Sequence, residues 1–207
     1  MIAAISLMRR RDDVPLGRFR RHWLDVHGPL VCGFPALKDY VQLHVLNSPA
    51  TNAAAQAMRV DGFPILVFDS DADRQAAHGS PEMAACNVDS RLFIGAVARV
   101  VSRQDDVEPI TAVGRARLMV LYPAGMDAAD VATGIARLRD LPRHYGLRRY
   151  TVLDQGRAPA SVIPHLDAPV AAAAQVWFES VVELEGAVEG LDAAGAVLFA
   201  TEEHRLV

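Results

Sequence analysis

Residues 22–44 hold most of the side chains that could do chemistry. His22-Trp23 is followed by His27-Gly28-Pro29, and Tyr40, Gln42 and His44 then alternate along the next apolar stretch. Leu16, Phe19, Trp23 and Val26 recur at helical spacing and define one apolar stripe. His22 and His27 fall about 70° to either side of that stripe, so about 140° separates them. An i, i+4 histidine pair that shares one metal is therefore not what this spacing provides. Pro29 disfavours helical geometry at the residue before it, which predicts a helix end near His27. There the helix dipole favours an imidazolium. His27 then reads either as a helix-capping histidine or as a general acid or base near neutral pH. His22 reads as a boundary histidine that packs its ring and keeps one nitrogen wet.

Tyr40, Gln42 and His44 share one face of a period-two segment, with Val41, Leu43 and Val45 on the other. Uncharged hydrogen-bonding groups between large apolar neighbours suit a pocket wall that orients a mostly apolar ligand. An exposed sheet face or a subunit contact would carry the same pattern. Six arginines between Arg9 and Arg21 read as a solvated face, or as an attractor for an anionic substrate. Cys32 and Cys86 fit no zinc or redox spacing, which suggests a reducing, cytoplasmic compartment, and Cys32, with no base beside it in sequence, reads as a packing residue.

The elements that would position these groups follow from pattern. The expected strands are residues 2–9, 37–46, 63–69 and 92–101, with helices over 15–27, 71–78 and from Ser80-Pro81 onward. Residues 47–62 carry loop chemistry. The order is β-α-β-β-α-β, and it recurs after a polar segment: strands at 117–122, 147–153, 175–179 and 196–200, helices at 127–141 and 180–191. Leu37-Lys38-Asp39-Tyr40 matches Leu147-Arg148-Arg149-Tyr150, and Phe68-Asp69-Ser70 matches Phe178-Glu179-Ser180, both at an offset of 110. A shared offset and a shared element order argue for a duplication. The expected fold is α+β: two ferredoxin-like units, 1–102 and 116–207, with 103–115 as linker. Each unit leaves one sheet face bare. The two would cover each other as an intrachain α/β barrel with a pocket between the sheets.

Composition narrows the function classes. The 207 residues carry 21 Lys+Arg and 25 Asp+Glu for a formal net charge of −4, with 51% hydrophobic residues. An acidic balance argues against nucleic acid as a partner. No segment approaches the roughly 20 apolar residues of a membrane span. The apolar N-terminus precedes its arginines, the reverse of a secretory signal. Glycine-rich nucleotide loops, HExxH and GxSxG are missing, which points to chemistry without a cofactor or metal, or to no chemistry. The remaining partners are a small-molecule substrate and a second copy of the chain in a homodimer.

Phe19-Arg20-Arg21-His22-Trp23, Val26-His27-Gly28-Pro29-Leu30 and Tyr40-Val41-Gln42-Leu43-His44, in that order, resemble the EthD domain family of the dimeric α/β-barrel superfamily. Phe68-Asp69, Ser80-Pro81-Glu82 and Phe93-Ile94 extend the resemblance over residues 1–102. It implies a ferredoxin-like fold paired into a barrel and small cofactor-free enzymes: lactone isomerases, and decarboxylases and dehydratases of fungal polyketides. In the isomerase branch the histidine of His-Gly-Pro is the proposed acid/base and the tyrosine of the next strand lines the pocket. Carried over, these are His27 and Tyr40. The second half lacks His-Gly-Pro, and Val152 and Asp154 stand where Gln and His would be. It reads as a degenerate repeat that keeps only the strand tyrosine, Tyr150. The strand before the first helix lacks an obvious acid to pair with His27.

These readings converge on a cofactor-independent isomerase or lyase for a small cyclic carbonyl compound such as a lactone or polyketide. His27 would move the proton and Tyr40 would hold the carbonyl oxygen. His44, Gln42, Trp23 and His22 would complete the substrate wall. A cofactor-free monooxygenase on an aromatic substrate and a non-catalytic binding or stress-response barrel are the alternatives.

Overall fold

The computed structural model describes residues 1–155, 163–191 and 195–207. Eight strands form one closed antiparallel barrel: β1 (Ile2–Arg10), β2 (Asp39–Val45), β3 (Gly62–Phe68), β4 (Ile94–Glu108), β5 (Ala116–Pro123), β6 (Leu147–Gln155), β7 (Val170–Phe178) and β8 (Val197–Arg205). Their order around the barrel is β1-β3-β2-β8-β5-β7-β6-β4. Each half contributes four neighbours in ferredoxin-like order, 4-1-3-2 and 8-5-7-6. The seams are β2 with β8 and β4 with β6. Closing edge onto edge leaves none of these eight strands with an unpaired edge. Helices α1 (Leu16–His22), α2 (Gly28–Cys32), α3 (Ala53–Met58), α4 (Asp71–His78), α5 (Pro81–Ser90), α6 (Ala128–Arg139) and α7 (Val181–Val188) accompany the strands. Among the described residues no helix is long and apolar enough to cross a membrane.

Several boundaries moved. The expected linker 103–115 is strand as far as Glu108, because Arg103 to Glu108 pair with Thr151 to Leu147 on β6. Charged residues there sit in a two-stranded extension at the seam. The expected loop 47–62 contains α3, capped by the Asn52 side chain, which accepts from the Ala55 N–H. The expected helix start at Ser80 holds, with the Ser80 side chain capping α5, and Ser70 caps α4 in the same way.

The barrel interior is a packed core and not a pocket. Alternate residues from both halves, including Ile5, Leu7, Leu43, Phe63, Ile65, Met119, Leu121 and Phe199, fill it. Phe63 and Phe199 meet edge to face across the units at 5.0 Å. At one end the filling turns polar: Arg117 pairs with Glu203 at 3.1 Å, and the guanidiniums of Arg117 and Arg148 both lie on the Trp177 ring. The expected pocket between the sheets is therefore occupied by side chains.

The register also separates the two tyrosines. Leu66 on β3 and Val176 on β7 are equivalent by the 110 offset. Tyr40 stands opposite Leu66, but Leu147 stands opposite Val176. Leu147 is thus the structural counterpart of Tyr40, and Tyr150 lies three residues on. An odd shift turns a strand side chain to the other face. Tyr150 packs in the barrel interior and donates to Gln175 Oε1, so the second repeat does not preserve the strand tyrosine.

Gly62 shows how tightly the outer face of the first sheet is packed. A Cβ there would lie 2.3 and 2.7 Å from ring carbons of Trp23 and 3.0 Å from the Leu43 carbonyl. Trp23 is fully buried and stacks on His44 at 4.5 Å, so it could give way only by disturbing that stack. Gly62→Ala is expected to cost about 2–3 kcal/mol through overpacking, read by urea unfolding.

Candidate functional site

The first half has an open space between the outer face of its sheet and its helices. The cavity measures about 380 Å³. Small or compact residues of the central strands, Ala4, Ser6, Pro64 and Leu66, make its floor. Tyr40 bounds it on β2 and Arg99 on β4. Strand order β4-β1-β3-β2 puts three strand spacings, about 14 Å, between those two walls. Val31, Met83, Cys86 and Asn87 lie over the floor, together with His27. The corresponding face of the second half is filled by Leu118, Val120, Tyr122, Ile135, Leu138 and their neighbours.

His27 reaches this cavity by an unexpected local structure. The helix does not stop at Gly28-Pro29. It widens into a π turn over Trp23–His27, where the Gly28 N–H reaches the Trp23 carbonyl, and continues as α2. Gly28 is helical (φ −53°, ψ −53°). Without a Cβ it relieves much of the clash with the proline ring that would push another residue to extended backbone. Space requires glycine as well: a Cβ at 28 would sit 2.4 Å from Leu206 and 3.1 Å from the Gln42 amide. Wide turns of this kind recur at functional sites because they shift one side chain out of helical phase. His27 is accordingly a mid-helix residue, and the expected dipole that would favour its imidazolium does not operate.

What holds His27 is an acid that the sequence reading did not find. Asp89, in the last turn of α5, accepts from His27 Nδ1 at 2.8 Å through one carboxylate oxygen and contacts His22 Nε2 at 2.9 Å through the other. Asp89 is 9% exposed and His27 7%. Phe93 backs both rings, at 5.1 Å from His27 and 4.8 Å from His22. With Nδ1 committed to the carboxylate, neutral His27 carries its proton there and presents a lone pair at Nε2. No hydrogen bond among the described residues engages that nitrogen. Burial pushes the His27 pKa below the ordinary histidine value, while the hydrogen bond and charge of Asp89 push the other way. The ring is therefore neutral at pH 7, as a base requires. A signal for Asp89 did exist: an acid in a helix's last turn opposes the dipole, and it lies one turn after buried Cys86.

Tyr40 is fully buried and lines the same cavity. Its hydroxyl accepts from Gln42 Nε2 at 2.8 Å, and the same amide nitrogen donates to the Trp23 carbonyl at 2.9 Å. Burial pushes the phenol well above its usual range, with the Gln42 bond opposing. Tyr40 stays protonated and can donate. His44 Nε2 lies 3.0 Å from Gln42 Oε1, so the three residues form a chain along β2.

The structure thus brings His27, Tyr40 and Trp23 to the cavity and leaves Gln42, His44 and His22 out of its lining. Gln42 and His44 are buried behind Tyr40 and position it. His22 orients Asp89. Cys86 lines the cavity, but burial pushes its thiol up to about 12, which keeps it from acting as a thiolate. Cys32 stays partly exposed and packs against the same apolar cluster that holds Cys86.

Comparison with known proteins agrees with this architecture. Residues 11–96 match the EthD domain. An anthrone oxidase-like protein superposes with a TM-score of 0.63 at 7% identity, over 99% of this chain and 92% of that one. A candidate monooxygenase from Fusobacterium nucleatum gives 0.52 at 5% identity, over 98% and 91%. An EthD family protein from Bacillus halodurans is 21% identical over 50% of this chain and 97% of its own, with a TM-score of 0.42. No curated protein matches the sequence. At 5–7% identity the two full-length likenesses establish the barrel fold alone. The segment that matches the EthD domain contains His27, Tyr40 and Asp89.

Proposed function

We propose that the first half of the chain is a cofactor-independent isomerase or lyase for a cyclic carbonyl compound. The observation that carries the reading is the Asp89–His27 pair, with a free Nε2 on a cavity that Tyr40 also lines. His27 Nε2 would take a proton from carbon next to the carbonyl. Electrons left by that proton move onto the carbonyl oxygen, where the Tyr40 hydroxyl supplies a hydrogen bond to the developing enolate. His27, now imidazolium and stabilised by Asp89, returns the proton to another carbon or to a leaving oxygen. The first outcome is isomerisation and the second is elimination. The mostly apolar lining suits an alicyclic or aromatic ring.

The test is turnover of a panel of lactones, anthrones and hydroxylated polyketide acids, with solvent deuterium incorporation and dissolved oxygen followed together. Deuterium entering the substrate skeleton without oxygen consumption is the expected result. Turnover tied to oxygen uptake would replace this reading with a cofactor-free monooxygenase. No exchange and no turnover would favour a binding barrel. Tyr40→Phe should lower turnover roughly 100-fold with little change in KM, because one donor to the developing oxyanion is lost.

A further inference from the structure

Arg99 is a charge in an apolar strand. It interrupts Ile94-Gly95-Ala96-Val97-Ala98 and Val100-Val101 on β4, and it shares the cavity-facing side with Val97 and Val101. Its partner in register on β1 is Ser6, part of the cavity floor. Among the described residues no carboxylate pairs with it and no hydrogen bond engages it. Burial alone acts on its pKa, downward. Two more cation-forming groups line the same end, His78 and Arg74. Arg74 is answered by Asp71 at 2.6 Å, and His78 feels Arg74 and Arg99 more strongly than Asp71. Asp154, exposed at the rim, is the acid in the lining and makes no ion pair with Arg99.

A half-buried guanidinium with no partner is costly unless something else meets it. Its planar fork matches a carboxylate in two parallel hydrogen bonds. We propose that Arg99 is the carboxylate-binding residue of the cavity, so that the substrate is an organic acid whose carboxylate faces Arg99 and whose ring lies over Ala4, Ser6 and Leu66 toward Tyr40 and His27. The proposal rests on the cavity being the substrate site and adds the substrate's charge to it. The three strand spacings between the walls fit a substrate with its reacting carbonyl at one end and its anion at the other.

The test is calorimetric binding of 2-naphthoate and of its neutral isostere 2-naphthamide. The wild type should prefer naphthoate at least tenfold, as a charge-assisted pair predicts. Arg99→Gln should bring the ratio near one, and Arg99→Lys should keep part of it. Equal affinities, binding of neither probe, or a preference that survives in Arg99→Gln would each overturn the proposal. Should Arg99→Gln fail to fold, 15N spectra supply the same reading. The arginine Nε–Hε resonance that disappears in Arg99→Lys must shift with naphthoate and stay put with naphthamide. His27→Ala separates the two levels of argument. Loss of turnover with the naphthoate preference intact supports both. Loss of the preference in the wild type with turnover dependent on His27 removes only the anion site. Unchanged turnover in His27→Ala with an Arg99-dependent preference removes only the acid–base reading.

Discussion

His27→Ala is expected to lower kcat/KM by roughly 10²–10⁴, the range that a positioned general base contributes. Among the described residues the imidazole is the one group on the cavity that is both neutral at pH 7 and hydrogen-bonded to an acid, at 2.8 Å from Asp89. His78 also lines the cavity, but it sits beside Arg74 and Arg99, and among the described residues no carboxylate is hydrogen-bonded to it. Burial raises Tyr40 and Cys86 out of reach as bases, and His22 spends its Nε2 on Asp89. The cavity loses only a ring from its edge, so KM should change far less than kcat. Wild-type kcat/KM should rise with pH along one limb whose midpoint lies below the ordinary histidine value, since a base must be deprotonated and burial depresses this one. Asp89→Asn sharpens the test. The carboxylate raises the His27 pKa through its hydrogen bond and its charge, so removing the charge moves the acid limb to lower pH. The amide can also turn its NH2 toward Nδ1 and move the imidazole proton to Nε2, which removes the lone pair from the cavity. A lower plateau together with a limb shifted down identifies Asp89 as the positioning residue. A limb that stays in place or moves up would sink that role.

The site could be read in part from residue types because local patterns carry local chemistry. His27-Gly28-Pro29 and the period-two row of Tyr40, Gln42 and His44 announced themselves within one short stretch of chain. Asp89 and Arg99 did not, since each acquires meaning only when α5 packs against the first helix and β4 pairs with β1. What could have flagged them is local inconsistency: an acid in a helix's last turn and a cation inside an apolar strand. The pocket was placed on the wrong side of the sheet for a related reason. Period-two alternation says which residues share a face but not which face receives the helices. Tyr40 and Leu66 settle this by packing with Val31, Phe34 and Cys86 from the helical layer. The repeat was legible in element order, yet a shift of three residues between β2 and β6 put Tyr150 on the opposite face from Tyr40. Pairwise identity at one offset cannot see a parity change inside it.

The row on β2 has a consequence for stability that is independent of catalysis. His44→Gln is expected to make the protein distinctly less sensitive to acid. His44 is 3% exposed, stacked on Trp23, 4.5 Å from the His204 ring and near the Arg20 charge. Burial first, then those two cationic neighbours, push its pKa down to about 3. In the unfolded chain the same ring takes a proton near pH 6.5. Between those values the unfolded state binds a proton that the folded state refuses, so stability falls as pH falls, beginning near 6.5 and ending near 3. From pH 7 to 4 this one residue accounts for about 3 kcal/mol of lost stability. The substituted glutamine cannot titrate, and its amide can still donate to Gln42 Oε1 in place of the imidazole. His204 carries a depressed pKa of its own, held up in part by Glu202, and remains in both proteins. The acid response therefore does not vanish, but the difference between the two proteins isolates His44. Urea unfolding at pH 7 and pH 4 measures it: the drop in unfolding free energy should be smaller in His44→Gln by about 3 kcal/mol. Equal drops would mean that His44 is protonated inside the fold. Tyr40 would then be held by a charged chain rather than by the neutral Gln42–His44 pair on which its role as a hydrogen-bond donor depends.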